Sequence, residues 1–331
     1  MLIINPNLTI DRTMAVDLVV PGAVHRTGTA TITLGGKGVN VARVARAFGH
    51  RGVLVGFLPF DSAATLDHLA AGEGAELSGV PVPGTVRSAT IMLETSGRVS
   101  VFNEPGPTVD EPDWQRMLDE VSRQAAGHAT VVCSGSLPPG SPVDAYARVV
   151  ATARRAGLRS VVDTTGDALA SALSEHPDVV SPNLAEAESL VSGPAIEGVE
   201  PSGENVAERA AEAAHGLVAR GARRAIVSAG SRGAAFSDGA DTVFCPAPEV
   251  AVISPIGAGD AFVGGLVLAL EEDRPWELAA SFGLAVASAS CEQLTAGTVD
   301  PARARELATT LGTRAMSPVP AMSPGADRGR A

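Results

Sequence analysis

The chain has 331 residues, 45% of them hydrophobic and 19% charged, which is enough apolar material for a large core and too much for a disordered polypeptide. Lysine and arginine number 25 against 37 aspartates and glutamates, a formal charge of -12 that argues against a general nucleic-acid or anionic-membrane surface. An anionic ligand would therefore need its own local cluster of cations.

Cys133, Cys245 and Cys291 lie far apart, with no CxxC pair and no histidine at metal-ligand spacing, so neither a disulfide framework nor a zinc site is expected. The first apolar run is too short for a signal segment, and no run reaches the ~20 apolar residues of a membrane span. A cytoplasmic protein without membrane contact is expected.

In chain order, a first strand is expected at 2–4, ended by Asn5-Pro6-Asn7, so that polar side chains stand at a strand end. Residues 27–34 alternate threonine with Gly, Ala, Ile and Leu, a strand with one polar face. After Gly35-Gly36-Lys37-Gly38 the spacing of Val, Ala and Phe predicts a helix over 39–48, stopped at Gly49. Strands at 88–94 and 99–103, joined by Thr95-Ser96-Gly97-Arg98, read as a hairpin.

From residue 130 strands and helices alternate. Strands are expected at 131–133, 160–162, 179–180 and 224–228, with helices at 144–156, 168–173, 185–191 and 207–220. That rhythm predicts an α/β protein with a mostly parallel sheet and helices on both faces. A strand at 250–253 and an apolar helix at 261–270 follow.

The segments near 8–34 and 85–103 fall outside the rhythm and are expected to form a small antiparallel sheet projecting as a lid on one large domain, 1–315. Residues 316–331, rich in Pro, Gly, Ser, Arg and Ala without periodicity, read as a disordered tail. A projecting half-polar sheet needs its apolar face covered, which points to a homodimer through the lid.

Two glycine-rich turns carry the chemistry. Gly257-Ala258-Gly259-Asp260 opens the apolar helix, so backbone N–H groups and the helix dipole can face one anion. A carboxylate there would repel a resting phosphate, which suits Asp260 to a base taking a proton from an attacking hydroxyl. A capping aspartate with a packing glycine is the competing reading. Gly35-Gly36-Lys37-Gly38-Val39-Asn40 lacks the GxxxxGK[ST] spacing of a nucleotide-phosphate loop. Its glycines permit close backbone approach, Lys37 supplies a cation, and Asn40 offers donor and acceptor to sugar hydroxyls; taken alone, the segment reads rather as a structural turn with a solvated lysine.

In their order and separation the two turns resemble those of the PfkB family of sugar kinases, which have the ribokinase-like three-layer α/β/α fold. The likeness reaches to about residue 300 and takes in Asn5-Pro6 with Asp11, Thr85-Val86-Arg87, Asn103-Glu104-Pro105-Gly106-Pro107, the segment 134–140, and Asn183-Leu184-Ala185-Glu186. The resemblance implies ATP and Mg²⁺ as cofactors. It makes Asp260 the catalytic base and Gly257, Ala258 and Gly259 the anion hole, and it assigns Asp11, Gly36, Asn40 and Asn103 to the sugar.

Arg87 with Lys37 is implied to hold a phosphate already on the sugar, consistent with the arginine fork's fit to phosphate. Asn183 and Glu186 are implied to organise water and Mg²⁺, and Ser228, Gly230 and Gly233 to lie along the nucleotide. Without the resemblance, Asn183 and Glu186 read as a helix cap followed by a solvated glutamate, and the 228–233 segment as a β-turn.

The features stand nearest the 1-phosphofructokinase and tagatose-6-phosphate kinase branch, so fructose 1-phosphate or tagatose 6-phosphate is the expected acceptor. A kinase of an unphosphorylated sugar or nucleoside, which would not need Arg87, and a non-catalytic sugar-phosphate sensor are the alternatives. Three departures stand out, of which Ala229 in place of a frequent leucine is expected to be mild. Ser181 replaces a lysine common before Pro-Asn, and the bulky Phe57, Leu58, Pro59 and Phe60 replace a glycine-rich segment, where they are expected to reshape the sugar pocket.

Overall fold

The computed structural model describes residues 1–192, 203, 205–312 and 317–318. The chain opens with β1 (Leu2–Ile4), leaves for β2 (Thr9–Val16) and β3 (Thr31–Gly35), and returns through α1 (Lys37–Ala47) to β4 (Val53–Pro59), α2 (Ala63–Glu73) and β5 (Glu76–Val82). It leaves again as the hairpin β6 (Arg87–Glu94) and β7 (Val99–Asn103). An alternating stretch follows: α3 (Glu111–Gln124), β8 (Thr130–Ser134), α4 (Ala145–Arg155), β9 (Arg159–Asp163), α5 (Gly166–Leu173), β10 (Val179–Val180), α6 (Leu184–Ser192), α7 (Val206–Ala219) and β11 (Ala225–Ser228). Last come β12 (Gly233–Ser237), β13 (Thr242–Pro246), α8 (Ala258–Glu271), α9 (Trp276–Cys291), α10 (Pro301–Gly312) and β14 (Ser317–Pro318).

The large sheet has the order β14-β13-β12-β11-β10-β9-β8-β1-β4-β5. Its pairs from β11 to β5 are parallel, and β12, β13 and β14 add an antiparallel edge. Both faces are covered, so its central strands are apolar throughout rather than alternating. In β1, Ile3 joins a core cluster with α1, α8 and α9, while Leu2 and Ile4 join the opposite cluster with α3, α4 and α7. Two glycines bring α8 close to its neighbours: a Cβ at Gly264 would lie 2.8 Å from Val44 of α1, and one at Gly265 would lie 2.7 Å from Val286 of α9.

The small sheet runs β3-β2-β6-β7 and corrects one expectation, because β2 and β6 pair in parallel rather than antiparallel. Between them the chain passes through β4, α2 and β5, and a connection of that length permits parallel pairing where a tight hairpin would not. The register places Thr9 opposite Arg87, Asp11 opposite Thr33 and Ala89, and Ala89 opposite Asn103. Side chains alternate faces along a strand, so Asp11, Arg87 and Asn103 share one face of this lid. Ile32 and Phe102, 47% and 64% exposed, share the other.

Three further expectations change. Residues 250–253 form no strand: Val252 and Ile253 are exposed, and the run is tied to the end of α9 by the Ile253 and Ser254 amides donating to the Cys291 carbonyl. With no ladder partner, the β-prone residues have nothing to pair with. The helix expected at 261–270 begins at Ala258, which brings Gly259 and Asp260 into its first turn. Within the stretch expected to be a tail, Ser317–Pro318 pairs with β13, and the rest of that stretch lies outside the described residues. No described helix is long and apolar enough to cross a membrane.

Candidate active site

The first turn of α1 is set by Asn5, at the carboxyl end of β1. Its Oδ1 accepts a hydrogen bond from the Gly38 amide at 2.6 Å. Only glycine leaves room, since a Cβ at Gly36 would lie 2.8 Å from that oxygen and one at Gly38 would lie 2.7 Å from the Asn5 Cβ; Gly36 also has φ +118°. Lys37 and Asn40, three apart, then project from one side of the helix start. The Lys37 ammonium stands 3.4 Å from Asp163 Oδ1 and 3.8 Å from Glu186 Oε1, and Asn40 Nδ2 donates to Asp260 Oδ2 at 2.7 Å. Distant stretches of the chain, at 37–40, 163, 186 and 260, therefore meet at one point.

Gly257 caps α8 with φ +79°, against Ala296 and Gly297. Asp260 follows in the first turn, where helical amides have no acceptor within their own helix. Of the three residues expected to form an anion hole, Ala258 already donates its amide to the Pro255 carbonyl at 3.3 Å. Asp260 is buried, and loss of hydration is the largest influence on its carboxyl. Lys37 and the Asn40 hydrogen bond favour the charged form, Asp163 and Glu186 oppose it, and the carboxyl is pushed up to about 7. For Lys37, desolvation disfavours the ammonium, but Asp163, Glu186 and Asp260 outweigh it and hold the lysine charged, well above its usual range.

Asp163 and Asn5 escaped the sequence assignment of the site. Each ends a parallel strand of the large sheet, and the carboxyl ends of such strands are where α/β proteins gather ligands. A search for polar residues just beyond apolar strand runs would have found both. Asp163 Oδ2 is buried without a hydrogen-bond partner.

On the lid, the Asp11 carboxylate occupies the place a side chain would take at Gly35, where a Cβ would come within 2.0 Å of it. Desolvation raises its carboxyl to about 6, with Arg43 and Arg87 pulling down and Glu73 adding to the rise. Arg87 donates from Nε and Nη2 to the Asn7 carbonyl at 3.3 and 3.0 Å, and from Nη1 to the Glu104 carbonyl at 3.3 Å. Three of its five N–H donors are thus used on neutral oxygens. Desolvation lowers its pKa while Asp11 raises it, with a net fall. Asn103 is exposed at the end of β7.

Asn183 and Glu186 form a reciprocal capping box: the Glu186 amide donates to Asn183 Oδ1 and the Asn183 amide to Glu186 Oε2, both at 2.9 Å. The glutamate is buried rather than solvated, and its other oxygen faces Lys37. Among the described residues no group of three or more Asp, Glu, His or Cys could hold a metal alone. The donor set fits a Mg²⁺ carried by nucleotide phosphates and met through water, and does not fit a resident ion.

Ser228, at the end of β11, bridges to Asn183, and its amide donates to the Pro182 carbonyl at 3.2 Å. Gly230 opens a 3-10 turn with φ +57°. Gly233 is demanded by the neighbouring strand, since a Cβ would meet the Cys245 carbonyl at 2.1 Å. Ser181 is buried at the end of β10. Of residues 57–60, Phe57 packs edge-on against Trp114 at 5.2 Å, Leu58 packs over Gly79, and Phe60 is exposed. Phe57 and Leu58 follow the strand alternation of β4 into the packing between layers, so their bulk goes there.

Comparison with known proteins places these features in company. The description "pfkB family carbohydrate kinase" matches residues 6–303. The 1-phosphofructokinase of Xanthomonas campestris pv. campestris is 33% identical over 290 residues, covering 86% of this chain and 88% of the relative. That of Rhodobacter capsulatus is 32% identical over 319 residues, covering 95% and 97%. Phosphofructokinase-2 from Escherichia coli, 26% identical, superposes with a TM-score of 0.84 in its potassium complex and 0.81 in its fructose-6-phosphate complex, each covering 94% of this chain and 99% of the other.

The raised Asp260 carboxyl makes stability depend on pH. A carboxyl whose folded pKa lies above its unfolded value costs nothing while protonated in both states; the folded state loses ground as pH climbs from the unfolded value to the folded one, and the loss is constant above that. Asp260→Asn removes that cost. The stability of the variant relative to wild type, read from urea midpoints, is expected to improve between about pH 4 and about pH 7 and to level off above that; a difference that stays constant from about pH 4 to about pH 7 would contradict the assignment.

Proposed function

This chain belongs to the pfkB family of carbohydrate kinases, phosphotransferases with an alcohol acceptor, and from that premise we propose that it phosphorylates a ketohexose phosphate to a bisphosphate, with Asp260 as general base. The observation that carries the reading is the buried Asp260 carboxylate in the first turn of α8, held by Asn40 beside the Lys37 ammonium.

The acceptor sugar lies between the lid and α1, with Asp11, Asn40 and Asn103 on its hydroxyls and its phosphate on Lys37 and Arg87. ATP lies along the carboxyl ends of β10 and β11, past Asn183, Ser228 and Gly230. Glu186 would hold, through water, a Mg²⁺ carried by the nucleotide, and that ion would offset charge on the phosphates. The sugar hydroxyl gives its proton to Asp260 as its oxygen bonds to the γ-phosphorus, and the bond from that phosphorus to the bridging oxygen breaks to release ADP. The Gly257 and Gly259 amides, with the positive end of α8, stabilise charge on the moving group.

Fructose 1-phosphate is the first choice, because the two relatives named 1-phosphofructokinase cover most of the chain. Against a net charge of -12, a dianion needs a local pair of cations, which Lys37 and Arg87 would supply. Ile32 and Phe102 on the outer face of the lid support pairing with a second copy of the chain, which would cover them.

A coupled ADP-release screen over fructose 1-phosphate, tagatose 6-phosphate, fructose 6-phosphate and the free sugars tests the reading. Turnover confined to free sugars would overturn it. Asp260→Asn is expected to cut kcat by ~10² to 10⁴ with the KM for the sugar phosphate nearly unchanged; full turnover would remove the base. Arg87→Ala is expected to raise the KM for the sugar phosphate by about tenfold or more, through loss of charge-assisted hydrogen bonds. An unchanged KM would put the phosphate elsewhere. Light scattering is expected to give twice the 33.4 kDa chain mass, and Phe102→Asp to return it to one; a monomeric wild type would exclude the lid dimer.

A further inference from the structure

Behind Asn40 lies a charged network that the reaction outlined above does not use. The Arg43 guanidinium, one turn along α1, donates from Nη1 to Asn40 Oδ1 at 2.7 Å and to the Ala296 carbonyl at 3.1 Å. Its Nη2 donates to the Leu34 carbonyl at 2.6 Å and to Glu73 Oε1 at 2.9 Å, and its Nε to Glu73 Oε2 at 2.7 Å. Glu73 Oε1 also accepts from the Leu34 amide at 2.8 Å. The side chains of Arg43 and Glu73 are only 14% and 19% exposed. One ion pair thus ties together α1, the end of α2, the stem of the lid at Leu34, and the loop at Ala296 that packs on Gly257.

A carboxamide is nearly symmetric in shape and can turn over. Asn40 could face Asp260 with either its NH₂ or its oxygen, and only the first binds a carboxylate. A guanidinium has donors and no acceptor, so the end of Asn40 that meets Arg43 must be the oxygen. The NH₂ is then forced toward Asp260. Glu73 holds the fork at two points and prevents it from swinging off the amide. A merely structural ion pair would not need an N–H aimed at a side chain that itself binds the base.

We propose that Arg43, clamped by Glu73, is a positioning residue that locks the Asn40 carboxamide with Nδ2 toward Asp260 and so aims the base at the attacking hydroxyl. This rests on the kinase reading above. Misaiming a reacting group by a small distance is costly, so Arg43→Met is expected to lower kcat by about ten- to a hundredfold, with the KM for ATP within about twofold of wild type.

The decisive measurement is a double-mutant cycle with Asn40→Ala. If Arg43 acts through Asn40, Arg43→Met in the Asn40→Ala background is expected to cost less than about threefold further, because the group it orients is gone. Multiplication of the two losses, or wild-type kcat in Arg43→Met alone, would overturn the proposal. Should Arg43→Met fail to fold, Glu73→Gln keeps the guanidinium and loosens its clamp; it is expected to lower kcat by a smaller factor and to show the same non-additivity, and additive losses in that cycle would equally overturn it. A wild-type protein without ADP release on any sugar phosphate would instead mark failure of the kinase reading, and this inference would fall with it.

Discussion

Lys37 stands against Asp163 and Glu186, with Asp260 also within reach of its charge, and the state of the cleft follows from that single ammonium among carboxylates. Burying carboxylates together is unfavourable unless a cation compensates. The ammonium offsets the cost in part, and what remains lifts Asp260 toward neutrality, into the range where a base can both accept and release a proton near physiological pH. Lys37 is the only lysine in a chain whose other 24 basic residues are arginines. A compact ammonium can stand among several carboxylates, whereas a planar fork commits to one or two in fixed directions.

The arginines near the site are used for that directional property. Arg87 spends three donors on carbonyls that fix its plane, while Arg43 is fixed by Glu73 and Leu34 and turned toward Asn40. The division matches the chemistry: a point charge where several anions crowd, forks where orientation matters. Neither arginine beside Asp11 forms an ion pair with it, so the lid carboxylate stays poised, raised by desolvation and restrained by the two guanidiniums.

The scaffold reaches this arrangement by close approach of backbones. Gly36 and Gly38 let Asn5 seat itself in the first turn of α1, Gly35 lets Asp11 lie across the lid stem, and Gly297, at φ +72°, comes so close to Asn40 that a Cβ would lie 2.6 Å from its Cα. At these places a methyl group would press on Asn5, Asp11 or Asn40, and at Gly38 on Ile3 as well.

Local pattern alone determined a good deal here. The 3.6-residue spacing after Gly38, the apolar runs of the parallel strands and the two glycine-rich turns all act over a few residues, so they are legible along the chain, and with them the fold class, the lid and Asp260, Lys37 and Asn40 as candidates. Tertiary structure decided what depends on distant partners. The parallel pairing of β2 with β6, the fate of 250–253 without a ladder partner, the inward packing of Phe57 and Leu58, the meeting of Asp163 and Asn5 with the site, and the clamping of Arg43 by Glu73 and Ala296 are set by residues tens to hundreds of positions away. A carboxylate or guanidinium reads the same in sequence whether it faces water or a buried partner, and only the folded chain assigns it one.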